Sequence, residues 1–73
     1  MNTNMEKLRD KMAALKLSPE DMARKIGVDP STFYRKIKSE GVNFTVGQMH
    51  KIADVLHLTS EEATIIFLSN NSQ

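Results

Sequence analysis

The stretch Ser18-Pro19-Glu20-Asp21-Met22-Ala23-Arg24-Lys25-Ile26-Gly27-Val28-Asp29-Pro30-Ser31-Thr32-Phe33-Tyr34-Arg35-Lys36-Ile37-Lys38 decides the fold. It reads as two short helices joined by a tight turn. Ser18 can cap a helix through its hydroxyl, Pro19 suits the first helical position where no backbone N–H is needed, and Glu20 and Asp21 favour the positive end of the helix dipole. Met22, Ala23 and Ile26 form an apolar stripe, and Gly27 supplies the left-handed conformation that ends the helix. The chain restarts at once: Asp29 caps, Pro30 takes the first position, and Phe33 and Ile37, four apart, form the buried face. With about three residues between them, the helices must cross steeply.

The second of these helices leaves a basic, hydroxyl-rich face outside. Ser31, Thr32, Tyr34, Arg35 and Lys38 point to solvent, with Lys36 near the boundary. Such a face can donate to phosphates and base edges, and Arg35 or Lys38 can read guanine in the major groove. The plain alternative is a solvated helix face. Cap, turn and basic face agree with one another, which favours the functional reading.

The run from Met22 to Arg35 resembles the Cro/C1-type helix-turn-helix family, with Ala23 at the helix crossing, Gly27 in the turn and Phe33 at the core position. The resemblance extends over most of the chain. Ser31 to Lys36, Phe44-Thr45-Val46, Glu61-Glu62-Ala63 and Ile66-Phe67 are similar to short repressor-like or modulator-of-repression-like proteins of temperate phages of Gram-positive bacteria. The resemblance implies five helices with the third in the major groove. It makes Pro30, Ser31, Thr32, Tyr34, Arg35 and Lys38 candidate DNA contacts; Arg24 and Lys36 are candidate phosphate contacts. Two positions depart from the family pattern. Pro19 stands where many relatives have a Gln that braces a phosphate and a base contact, and Pro30 where a polar base-reading side chain is common.

The other segments read as scaffold. Met5, Leu8, Met12 and Leu15 recur at three and four residues and make residues 4–16 an amphipathic first helix, its methionines filling the core. Glu40 to Phe44 reads as a loop around Gly41. Thr45 caps a fourth helix, near 46–56, with Val46, Met49, Ile52, Ala53 and Leu56 inward; Gly47 weakens its first turn modestly. Thr59 and Glu62 have the spacing of a capping box for a fifth helix near 60–68. Together with helices near 19–26 and 30–38, these predict an all-α, compact five-helix domain spanning 1–73, with a polar, frayed tail at 69–73.

That fifth helix is unusually apolar. Ala63, Ile65, Ile66, Phe67 and Leu68 nearly encircle it, so one small core does not cover every side. Ala63, Ile66 and Phe67 keep the core spacing. Ile65 and Leu68 are therefore the candidate interface residues, for a homodimer or another protein.

Composition bounds these readings. A chain of 73 residues makes one small core worth roughly 3–5 kcal/mol, so dimerisation would help. The sequence contains no cysteine, which rules out a disulfide framework and a thiolate metal site and fits a reducing bacterial cytoplasm. No signal peptide or long apolar run is evident, so no membrane partner is expected. The formal net charge is only +1, but it is unevenly spread. Residues 24–38 carry Arg24, Lys25, Arg35, Lys36 and Lys38 against Asp29, whereas residues 39–73 carry Lys51 against Glu40, Asp54, Glu61 and Glu62. This asymmetry gives an oriented electrostatic footprint with its positive end at the helix-turn-helix.

Catalysis finds little support. His50 and His57 could share a helix face, but seven residues separate them by about 10 Å, too far to ligate one metal unaided. Asp54 can reach His50, yet no nucleophile completes a constellation. There is no Gly-rich phosphate loop and little room for an enclosed pocket, so no enzyme, no cofactor and no small-molecule substrate is expected. Two binding functions remain. One is a regulator that binds operator half-sites in double-stranded DNA within a phage-type genetic switch; the other is a modulator or antirepressor that binds a larger phage repressor and alters its grip on DNA. The two prolines and the small net charge favour the second, and the basic third helix favours the first.

Overall fold

The computed structural model describes residues 3–39 and 44–68, and these form five helices and no strands: α1 (Met5–Ala14), α2 (Pro19–Ile26), α3 (Pro30–Lys38), α4 (Val46–Val55) and α5 (Ser60–Phe67). Each begins on a side chain that accepts from a first-turn N–H. Asn4 accepts from Lys7, Ser18 from Asp21, Asp29 from Ser31, Thr45 from Gln48 and Thr59 from Glu62. In α2, α4 and α5 the bond is returned, because the side chains of Asp21, Gln48 and Glu62 accept from the cap residue's own N–H. Five short helices are thereby started by local chemistry, which single-turn propensity could not do in pieces this small.

Three of them also stop in the same way. After α1, α2 and α4 the chain enters the left-handed region at Lys16 (φ 58), Gly27 (φ 77) and His57 (φ 55). The next residue then turns back. Leu17, Val28 and Leu58 donate their N–H groups to the carbonyls of Met12, Ala23 and Ala53, each at 2.9 Å, and all three side chains pack on the core. This is the Schellman arrangement with its hydrophobic contact.

The core follows from the apolar stripes. Leu8, Met22, Ala23, Phe33, Ile52 and Ile66 are wholly buried, and Met5, Met12, Ile26, Ile37, Phe44, Leu56 and Phe67 complete the cluster. An aromatic chain runs through it. The Phe33 and Phe44 rings lie 5.7 Å apart, and Phe44 meets Phe67 edge-on at 6.4 Å. Phe44, at the edge of a segment read as loop, is thus a link between α3 and α5; the rest of that loop, 40–43, and the tail at 69–73 lie outside the described residues.

Two residues read as inward face outward. Leu15 is 45 % exposed, because α1 stops at Ala14 and the left-handed turn at Lys16 sends Leu17 into the core in its place. Val46 is 67 % exposed, since it is the first residue of α4 and precedes Ile52, where the stripe meets the core, by nearly two turns. The fourth helix also ends earlier than expected. His57 lies beyond it in the left-handed turn, so it shares no helix face with His50.

Candidate nucleic-acid interface

The packing of α3 determines what it displays. Phe33 and Ile37 anchor it against α2 and the core, so Arg35 projects from the opposite side with Ser31 and Lys38 close beside it. Pro30, Tyr34 and Lys38, four residues apart, form a ridge along one flank of this face. Tyr34 is 55 % exposed, and its ring lies 5.8 Å from the Lys38 ammonium. That contact steadies both side chains on the surface. Thr32 and Lys36 lie on the other flank and are half-buried, while Pro30, Ser31, Tyr34, Arg35 and Lys38 are exposed. Pro30, Ser31, Tyr34, Arg35 and Lys38 therefore share the exposed side of α3, whereas Thr32 and Lys36 stand at its half-buried margin.

A shallow depression lies on each side of this ridge. On the α2 side it is lined by Ser18, Pro19, Glu20, Pro30, Ser31 and Tyr34, and its walls are mostly apolar. The starts of α2 and α3 converge there. On the other side, Thr32, Arg35, Lys36 and Ser39 line a more polar hollow. Arg35 stands between apolar and polar ground.

The acidic groups near the face are engaged. Asp29 accepts from the Ser31 hydroxyl and from the Ser31 N–H at 3.0 Å. The Ser31 hydroxyl bond, then the Ser31 and Thr32 backbone N–H groups, hold its carboxyl below the usual aspartate value. Asp21 is likewise lowered, first by the Ser18 backbone N–H and then by the Ser18 hydroxyl. Glu20 pairs with Arg24 one turn on, at 2.8 Å. That pair is exposed and turns Arg24, a candidate phosphate contact, toward a carboxylate on its own helix. The three α3 cations Arg35, Lys36 and Lys38 also suit the negative end of that helix's dipole.

The residues that sequence reasoning missed are Ser18, Pro19 and Glu20 as walls of the depression beside Tyr34. Helical periodicity places side chains around one axis and does not say which neighbouring helix start lies alongside. His50 lies on α4 and His57 in the turn that follows it. Both are exposed, and among the described residues no group of three or more His, Cys, Asp or Glu side chains comes together to hold a metal ion. Among the described residues no helix is long and apolar enough to cross a membrane.

The second apolar feature is a groove between α4 and α5, lined by Val46, Met49, His50, Ala53, Ala63, Thr64, Phe67 and Leu68. Ile65 (42 % exposed) and Leu68 (51 %) face outward as their spacing predicts, while Ile66 and Phe67 are buried. Leu68 belongs to the groove. Ile65 stands on the far flank of α5.

Comparison with protein families finds a match to the Cro/C1-type helix-turn-helix DNA-binding domain over residues 7–66. No curated protein and no solved structure matches the chain.

Proposed function

The chain belongs to the Cro/C1-type helix-turn-helix DNA-binding domain family, and from that premise we propose that it is a small repressor-like regulator of a phage-type genetic switch. The observation that carries the reading is the exposed face of α3, where Arg35 stands opposite the Phe33 and Ile37 anchors with Ser31, Tyr34 and Lys38 around it. In this reading residues 1–73 act as one domain in the cytoplasm of a bacterial host. The third helix lies in the major groove, Arg35 and Lys38 donate to guanine or phosphate, and Arg24 and Lys36 meet the backbone. Two copies, associated through Ile65 and Leu68, bind the halves of an operator and block or redirect a promoter.

A mobility shift with the DNA flanking its own gene tests this. A retarded complex that weakens as salt is raised supports it, and the absence of any complex across a wide range of protein concentrations contradicts it.

The α4–α5 groove favours a second reading. An apolar hollow with Val46 and Leu68 exposed at its margins suits a protein partner, and a modulator that binds a larger phage repressor would use such a surface. Adding the neighbouring repressor to the mobility shift separates the two: a regulator competes for DNA, whereas a modulator changes the repressor's own shift.

A further inference from the structure

Within the reading that α3 enters the major groove, the chemistry of its first turn selects a base pair. Pro30 has no N–H to donate and presents its ring to solvent. Four residues on, the exposed Tyr34 ring extends that apolar surface, and Pro19 of α2 completes the mostly apolar wall of the depression between them. Several hydroxyls lie near this turn, but Ser31's, the one beside Pro30 on the exposed face, gives its proton to Asp29. Ser31 Oγ is left with acceptor capacity only. The first turn of α3 thus offers an apolar patch beside an acceptor, with the donors Arg35 and Lys38 one to two turns further along.

In the major groove an A·T pair presents the thymine methyl and the adenine N6 amino donor, whereas guanine presents two acceptors. We infer that the Pro30–Tyr34 surface and Ser31 Oγ together read an A·T pair, the methyl packing against the two rings and the adenine amino group donating to Ser31. A G·C pair also offers an amino donor, on cytosine N4, but no methyl for the two rings, so the methyl contact is what separates the pairs at that step. Guanine is favoured further along, under Arg35. The same geometry gives Asp29 a positioning role, since its carboxylate fixes which way the Ser31 hydroxyl points.

The test begins with duplexes enriched from a random pool by the wild-type chain, so that no operator need be known. The best duplex is then remade with deoxyuridine for each thymine in turn, which deletes only the methyl, and with 2-aminopurine for each adenine, which removes the amino group from the major groove. At one A·T pair of each half-site, deoxyuridine should weaken binding about threefold to fivefold and 2-aminopurine about fivefold or more. The double variant Pro30→Ala with Tyr34→Ala should lose the deoxyuridine penalty while still preferring guanine at its own position. Arg35→Ala should do the converse. Enrichment of a duplex in which no thymine methyl matters would overturn the inference and leave DNA binding standing; failure to enrich any duplex would overturn both.

Discussion

Lys11 on α1 and Glu62 on α5 meet at 2.6 Å across 51 residues of chain, and Glu62 serves two masters. Its other oxygen accepts from the Thr59 N–H and closes the capping box that starts α5. Beside it, the Asn4 N–H donates to the Ile66 carbonyl at 2.6 Å. One carboxylate therefore both begins the last helix and ties it to the first.

This arrangement sets the acid response. Hydrogen bonding from Lys11, and next from the Thr59 N–H, holds the Glu62 carboxyl below its ordinary value of 4.5, while Asp21 and Asp29 lie below 3.8 through their bonds from Ser18 and Ser31. In acid the unfolded chain binds these protons first, so the stabilisation is complete above the ordinary values and is lost as pH falls through the lowered ones. The thermal midpoint, followed by circular dichroism, should be level near neutrality and fall below about pH 4. Glu62→Gln should lower it near neutrality and make the fall shallower. An unchanged slope in that variant would show that Glu62 does not contribute.

Phe33 is the wholly buried anchor of α3 and packs against the tilted ring of Phe44, which in turn meets Phe67. Phe33→Ala should cost about 3–5 kcal/mol, most of the stability that so small a core supplies. Chemical denaturation reads this directly. A near-wild-type midpoint would mean that α3 is rotated about its axis, and its exposed face would have to be reassigned.

The three left-handed helix ends predict opposite responses to glycine. Lys16 and His57 are exposed and carry a side chain where one is disfavoured by about 1 kcal/mol, at φ 58 and φ 55. Lys16→Gly and His57→Gly should each raise stability by an amount of that order. Gly27→Ala should lower it by about 1 kcal/mol, although an added Cβ there would touch nothing within 4 Å, because its φ of 77 is the obstacle. Destabilisation by both glycine variants would count against these turn geometries.

Much of this fold was legible in the sequence because its information is local. Ser18, Asp29, Thr45 and Thr59 announce helix starts, Gly27 announces an end, and the stripes through Met22, Phe33 and Ile52 announce the inward faces. The departures at the helix ends have one cause. Lys16 and His57 enter a conformation that residue type does not advertise, so the spacing alone puts the ends of α1 and α4 one or two residues late and counts Leu15 as inward. Gln48, the reciprocal half of the Thr45 box, shows its role only in the structure. The exposed face of α3 was likewise readable from Phe33 and Ile37 alone; its apolar flank was not, because Pro19 reaches Tyr34 and Pro30 only through the crossing of α2 and α3.

The outward residues of α5 should report on association rather than folding. Ile65→Glu with Leu68→Glu places charge on two side chains that are already exposed, so helicity should be retained. Light scattering should then show a smaller species than the wild type at the same concentration. A wild type that is monomeric alone and beside the repressor of the proposed switch would remove the interface role from this end of the molecule.

Binding by Arg35→Ala and Lys38→Ala, measured by fluorescence anisotropy on a DNA duplex that the wild type retains, decides whether α3 is the recognition surface. Neither side chain fills the core, so thermal stability should stay at the wild-type value. Each variant should lose affinity, by about 1–3 kcal/mol and selectively at one base pair if it reads guanine, or uniformly and with a shallower salt dependence if it meets phosphate. Wild-type affinity in both folded variants would contradict the assignment of α3 as the recognition surface.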